Sequence, residues 1–232
     1  MKKKALPVFI LLVILVSALS WGIFSPNKVL TSYRIDTHLK QLQRSQVDKV
    51  IQPYLGQSFW NLDLNKLHAE IVRLDWVYHA RVSRHWPSQL EIAIEEQQPV
   101  VRWGQDGLLN KNGDIFYPND ISAYKNLVEL QGDDAKSKAL LEDLVRFQGI
   151  FKQLGWTVSK LIMNPDSVWE IDFLNHPKVV LDHKDWKHKL NRFVRAYSQI
   201  KLALRKNASL YDLRYSNGFA IKQKTKDSAA ES

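Results

Sequence analysis

Apolar positions along this chain recur with two periods, and the switches between them outline its elements. From Leu6 to Phe24 no charge occurs, and only Pro7, Ser17, Ser20 and Gly22 interrupt an apolar run. At about 1.5 Å per helical residue that run just spans a hydrocarbon core roughly 30 Å thick. A strand is predicted near Lys28 to Ile35, then a helix opened by Ser45 with Asp48 completing a capping box. Val47, Val50, Ile51 and Tyr54 form its stripe, Gly56 ends it, and Asp63 is set to cap a second helix carrying Leu64, Leu67, Ile71 and Leu74. The period then drops to two. Tyr78, Ala80 and Val82 share one face while His79, Arg81 and Ser83 share the other; Leu90, Ile92 and Ile94 alternate with Glu91, Ala93 and Glu95. Trp86-Pro87-Ser88-Gln89 between them suits a turn, and Pro99 should end the second strand or sit on an edge.

Beyond Val100 the pattern becomes short strands broken by two amphipathic helices. Asn112-Gly113 between Leu108-Leu109 and Ile115-Phe116 predicts a hairpin with a type I′ turn, whose two central residues need positive φ. One helix is expected over Lys136 to Leu154, with Leu140, Leu141, Leu144, Phe147, Ile150, Phe151 and Leu154 inward. Strands follow near Val158 to Ile162, Trp169 to Phe173 and Val179 to Leu181. A second helix is expected over Trp186 to Leu204, burying Leu190, Phe193, Val194, Tyr197 and Ile200. A last strand-Asn-Gly-strand pattern, Leu210 to Ile221, belongs at a sheet edge, where unpaired backbone groups can accept a partner strand.

Composition narrows the function classes. The 232 residues hold no cysteine, so disulfide staples, thiolate metal sites and a cysteine nucleophile are excluded. Net charge is +9, of which Lys2, Lys3 and Lys4 precede the apolar run. Those lysines place the amino terminus in the cytoplasm and everything after Ser25 outside. A cleaved signal peptide would share the basic start, with Val16-Ser17-Ala18 or Ala18-Leu19-Ser20 as its site, but the apolar run exceeds the usual 7–15 residues of such segments. The segment is therefore read as retained. The remaining positive charge reads as a solvated basic surface beside anionic headgroups, since no nucleic-acid motif accompanies it.

No G-x-S-x-G, H-E-x-x-H or phosphate-binding glycine loop is present. Ser25-Pro26-Asn27-Lys28 matches S-x-x-K but lacks the S-D-N and K-T-G companions of penicillin-binding proteins. His183 and His188 stand five apart, off the spacing that aligns metal ligands on a helix face, and Asp182 and Asp185 read as helix-capping or solvated. Trp76, Trp86 and Trp103 read as core and Glu96 as an ion-pair or turn residue. Neither a catalytic residue nor a cofactor or metal site is expected.

The spacing of Trp76-Val77, Ala80, Val82, Arg84, Trp86-Pro87, Leu90, Ile92, Glu96, Pro99 and Trp103 resembles the FtsQ family of bacterial cell-division proteins. The resemblance implies an α+β chain: a cytoplasmic tail over 1–5, a transmembrane helix over 6–24, a POTRA domain (β-α-α-β-β) over 28–97, a mainly antiparallel FtsQ-type β domain with two amphipathic helices over 98–223, and a disordered tail over 224–232. This chain departs from the family pattern in reading Arg34-Ile35-Asp36-Thr37 where many members carry a glycine, and Asp75 where many carry proline. The implied role is a non-enzymatic scaffold of the inner membrane at the division septum, single-pass with periplasmic domains, binding FtsB and FtsL by strand addition at its last strand. Position by position, the implied partner-binding residues are Arg192, Arg214, Tyr215 and Gly218. Ile221-Lys222-Gln223 stands where some relatives carry an aromatic residue. A POTRA-containing chaperone or transport adaptor for outer-membrane assembly is the rival reading, and a cell-wall enzyme a third.

Overall fold

Residues 10, 12–15 and 28–224 are described in the computed structural model of the chain, which divides into two units between Gln97 and Gln98. Most of the apolar segment expected to cross a membrane lies outside the described residues, and Ser25 and the tail from 225 onward lie wholly outside them. Among the described residues no helix is long and apolar enough to span a bilayer.

The first unit runs β1 (Ser32–Ile35), α1 (Arg44–Ile51), α2 (Leu64–Val72), β2 (Val77–His85) and β3 (Gln89–Glu96). Its sheet has the order β1-β3-β2, with β1 parallel and β2 antiparallel to the central β3. The alternation in β3 buries Leu90, Ile92 and Ile94, and the helical stripes supply Val47, Ile51, Leu67 and Ile71 to the same core. Asp63 caps α2 as expected, accepting the Lys66 N–H at 3.0 Å. The cap of α1 lies two residues before Ser45: Gln43 takes that position, and the Gln46 Oε1 accepts its N–H at 3.2 Å. Two charged residues staple the loops to the hairpin. The Glu96 carboxylate accepts the N–H groups of Lys40 and Gln41 at 2.9 Å and of Leu42 at 2.6 Å. Arg84 donates to the carbonyls of Phe59, Trp60 and Leu62 at 2.9, 3.1 and 2.8 Å. Trp76 and Trp103 are buried, but Trp86 is not core: it stands 54% exposed in the β2–β3 turn with Lys28 Nζ 4.9 Å above its ring. Beyond the strand end, alternation no longer dictates burial.

The second unit contains β4 (Pro99–Trp103), β5 (Gly107–Asn110), β6 (Ile115–Phe116), β7 (Glu129–Gln131), α3 (Ser137–Phe151), β8 (Val158–Met163), β9 (Val168–Phe173), β10 (His176–Asp182), α4 (Trp186–Tyr197), α5 (Leu202–Asn207), β11 (Ala208–Asp212) and β12 (Ala220–Gln223). They form one sheet in the order β12-β11-β10-β9-β8-β7-β4-β5-β6. Most neighbours are antiparallel, whereas β4–β7, β7–β8 and β10–β11 run parallel. Parallel neighbours need a long crossover, and α3 supplies it between β7 and β8, α4 and α5 between β10 and β11. Leu140, Leu144, Phe147 and Phe151 of α3 meet Leu190 and Phe193 of α4 in a core rich in rings, including Trp156, Phe173 and Tyr211.

Two expectations change here, and one strand is new. The β5–β6 turn is not type I′: Gly113 has φ +88° but Asn112 does not have positive φ, and the Asn110 side chain organises the turn by accepting the N–H groups of Asn112 and Asp114. The helix expected from Trp186 to Leu204 stops at Tyr197, where Ile200 N–H closes a turn onto the Tyr197 carbonyl, and resumes as α5. β7 was not foreseen, because three residues are too few to display a period.

Candidate functional site

The site expected at the chain's close is assembled around loop 213–219, which joins β11 to β12. β11 is interior to the sheet, with its Tyr211 and the following Leu213 packed into the core, whereas β12 is the terminal strand with no strand on its outer side among the described residues. Its residues alternate exposed and half-buried, Ala220 and Lys222 outward, Ile221 and Gln223 partly covered. A two-residue hairpin at Asn217-Gly218 is not what forms, since neither residue has positive φ. The connection is a longer loop, held down from α4.

Three side chains hold it. Arg192 projects from α4 and its guanidinium donates to the carbonyls of Ser216 at 2.6 Å, Tyr215 at 3.1 Å and Gly218 at 3.2 Å. Lys189, one turn earlier and buried, donates to Asp182 Oδ1 at 2.6 Å and to the Arg214 carbonyl at 2.9 Å. At the loop's far end Phe219 packs edge-on against Phe193 at 5.3 Å. The spacing Lys189, Arg192, Phe193 on one helix therefore matches three successive anchor points of the loop.

Arg214 stands at the loop's start and grips Asp212 with two parallel hydrogen bonds, Nε to Oδ1 at 2.9 Å and a terminal nitrogen to Oδ2 at 2.7 Å. These bonds hold the Asp212 carboxyl below the ordinary aspartate range and raise the Arg214 guanidinium above its own. Farther along the same sheet, Lys178 hydrogen-bonds Glu170 and lowers that carboxyl. Tyr215 is 57% exposed.

The four expected residues thus converge on one loop, but in different capacities. Tyr215 presents its ring to solvent, Gly218 offers a carbonyl, and both arginines are already engaged within the chain. Lys189 was missed by sequence reasoning, although Asp182 seven residues earlier was a signal that a carboxylate waited for it. Asp182 is accordingly neither a cap nor merely solvated, and Asp185 sits at the α4 cap position with φ +56° and no side-chain cap bond. The His183 ring lies 5.1 Å from that of Trp169. Among the described residues no group of three His, Cys, Asp or Glu is placed to hold a metal. An open strand edge beside an exposed tyrosine and a rigidly held loop is a recognition geometry.

Two family descriptions match. "POTRA domain, FtsQ-type" covers residues 34–97, and "Cell division protein FtsQ/DivIB, C-terminal" covers residues 101–214. The second ends at the loop, so β12 lies beyond it. Among similar proteins, the Cell division protein FtsQ of Methylomonas methanica is 27% identical over 220 residues, covering 92% of this chain and 88% of its own. That of Coxiella burnetii is 27% identical over 225 residues, covering 96% and 93%. That of Xanthomonas campestris pv. campestris is 29% identical over 195 residues, covering 84% and 70%.

Proposed function

The chain belongs to the FtsQ family of cell-division proteins, and we propose that it is a non-enzymatic scaffold of the bacterial divisome that captures the FtsB-FtsL pair by strand addition to β12. Its apolar amino-terminal segment anchors it once in the inner membrane, with the three lysines cytoplasmic and both folded units periplasmic at the septum. The observation that carries this reading is the pairing of an open strand edge with Tyr215 on a loop held by Lys189 and Arg192. Main-chain hydrogen bonds along β12 supply affinity, while the Tyr215 ring sets register. Arg192 serves as a positioning residue, fixing the carbonyls that shape the loop. Arg214, half-exposed beyond its bond to Asp212, adds a cation to the rim.

The test is a pull-down of the FtsB-FtsL periplasmic segments by the detergent-solubilised full chain and by a chain ending at Phe219. That end point spares β11, whose Tyr211 belongs to the core, and keeps Phe219 on Phe193. Capture by the full chain and its loss on truncation, at unchanged circular dichroism, supports strand addition at β12; equal capture by both refutes it.

A further inference from the structure

We propose that α5 and the outer end of β12 form a second contact zone of the same edge, an aliphatic shelf ringed by cations that takes an acidic, leucine-type segment of the partner beyond its added strand. This rests on the β12 reading above and extends it.

The element α5 is unusual in having no buried residue at all. A six-residue helix gains little from propensity alone, and packing of an apolar face is what normally holds so short a segment. Yet its two leucines point outward, Leu202 at 58% and Leu204 at 42% exposure. The helix is fastened to the open edge. Gln223 Nε2 donates to the Leu204 carbonyl at 3.4 Å, and Lys224 N–H donates to the Asn207 carbonyl at 2.8 Å. A strand laid along β12 therefore runs off its end directly beside α5.

Charge decides what such a segment carries. Lys201 and Lys206 flank the leucines in sequence, Lys222 and Lys224 stand on β12 and just past its end, all four are exposed, and none of them makes an ion pair among the described residues. Arg205 does not join them: it is half-buried, with its guanidinium 5.3 Å from the Tyr197 ring centre. The acids of this end are committed elsewhere, Asp182 to Lys189 and Asp212 to Arg214. An unpaired cationic rim around exposed aliphatic surface is complementary to carboxylates interleaved with leucine-type side chains. Clustered like charges also repel one another in the unbound protein, so an acidic partner relieves that repulsion as it binds.

Binding of fluorescent FtsB-FtsL periplasmic segments to the full chain in nanodiscs tests this. The variants are Lys201→Glu with Lys206→Glu, the milder Lys201→Gln with Lys206→Gln, Leu202→Ser with Leu204→Ser, and the strand-blocking Ile221→Pro. The expected result is about tenfold weaker binding for each α5 pair, graded from Gln to Glu, and a wild-type affinity that falls with added salt more steeply than that of the Lys→Gln pair. Wild-type affinity in the α5 variants with binding lost in Ile221→Pro would overturn the shelf while leaving strand addition standing. Unchanged binding in all four would remove both. An α5 effect present only in anionic-lipid nanodiscs, and absent in zwitterionic ones, would also overturn it by assigning the cations to a lipid surface.

Discussion

At the residue scale, the two arginines of the candidate edge show how hydrogen-bond accounting revises a role assigned by type. A guanidinium is suited to grip a carboxylate, and Arg214 does so, but the carboxylate is the chain's own Asp212. Arg192 spends its donors on three carbonyls of loop 213–219. The partners of Arg192 were not visible in the sequence, because those contacts depend on where α4 lies over the loop, whereas Asp212 stands only two residues from Arg214. Tyr215, by contrast, keeps a large exposed ring, so Tyr215→Ala should leave thermal unfolding unchanged while weakening FtsB-FtsL capture by about 2 kcal/mol, measured by titration calorimetry. The Asp212–Arg214 bond adds a pH signature. Because the folded carboxyl titrates below its unfolded value, its stabilisation is complete above about pH 4 and is lost as pH falls through the folded value. Urea unfolding across that range should show Asp212→Asn losing less stability on acidification than the wild type. Glu96 makes a similar point in the first unit: Glu96→Ala strips the acceptor from three backbone N–H groups and should lower unfolding free energy by about 1–3 kcal/mol.

At the element scale, period and capping were legible wherever they were local. The β3 alternation, the Asp63 cap and the α3 stripe are all as the residues suggest, since each depends on neighbours within one turn or one strand. Turns were less legible. Both Asn-Gly pairs promise the same two-residue hairpin, yet at 112–113 the Asn110 side chain takes over the turn, and at 217–218 α4 pulls the connection into a longer loop. Gly113 is still required, for a reason the turn type does not state. Its φ is +88°, and a Cβ there would stand 2.6 Å from the Cα of Lys138 at the start of α3. Gly113→Ala should therefore cost more than about 1 kcal/mol, with the loss read as a lower urea midpoint at unchanged m-value.

At the scale of the whole molecule, domain order could be read from residues, whereas sheet topology could not. β7 and the three parallel pairings arise from crossovers that bring distant segments together, and no local period encodes which strand a short segment will meet. The edge position of β12 agrees with the expectation for the late strand-Asn-Gly-strand pattern. This edge is where the partner is expected to add its strand. Hydrogen exchange by mass spectrometry on the full chain, with and without the FtsB-FtsL periplasmic segments, reads it directly. Amides of 220–223 should become strongly protected on binding while those of β6, at the opposite edge, stay as they are; exchange at 220–223 that does not change in the bound protein would contradict strand addition at β12.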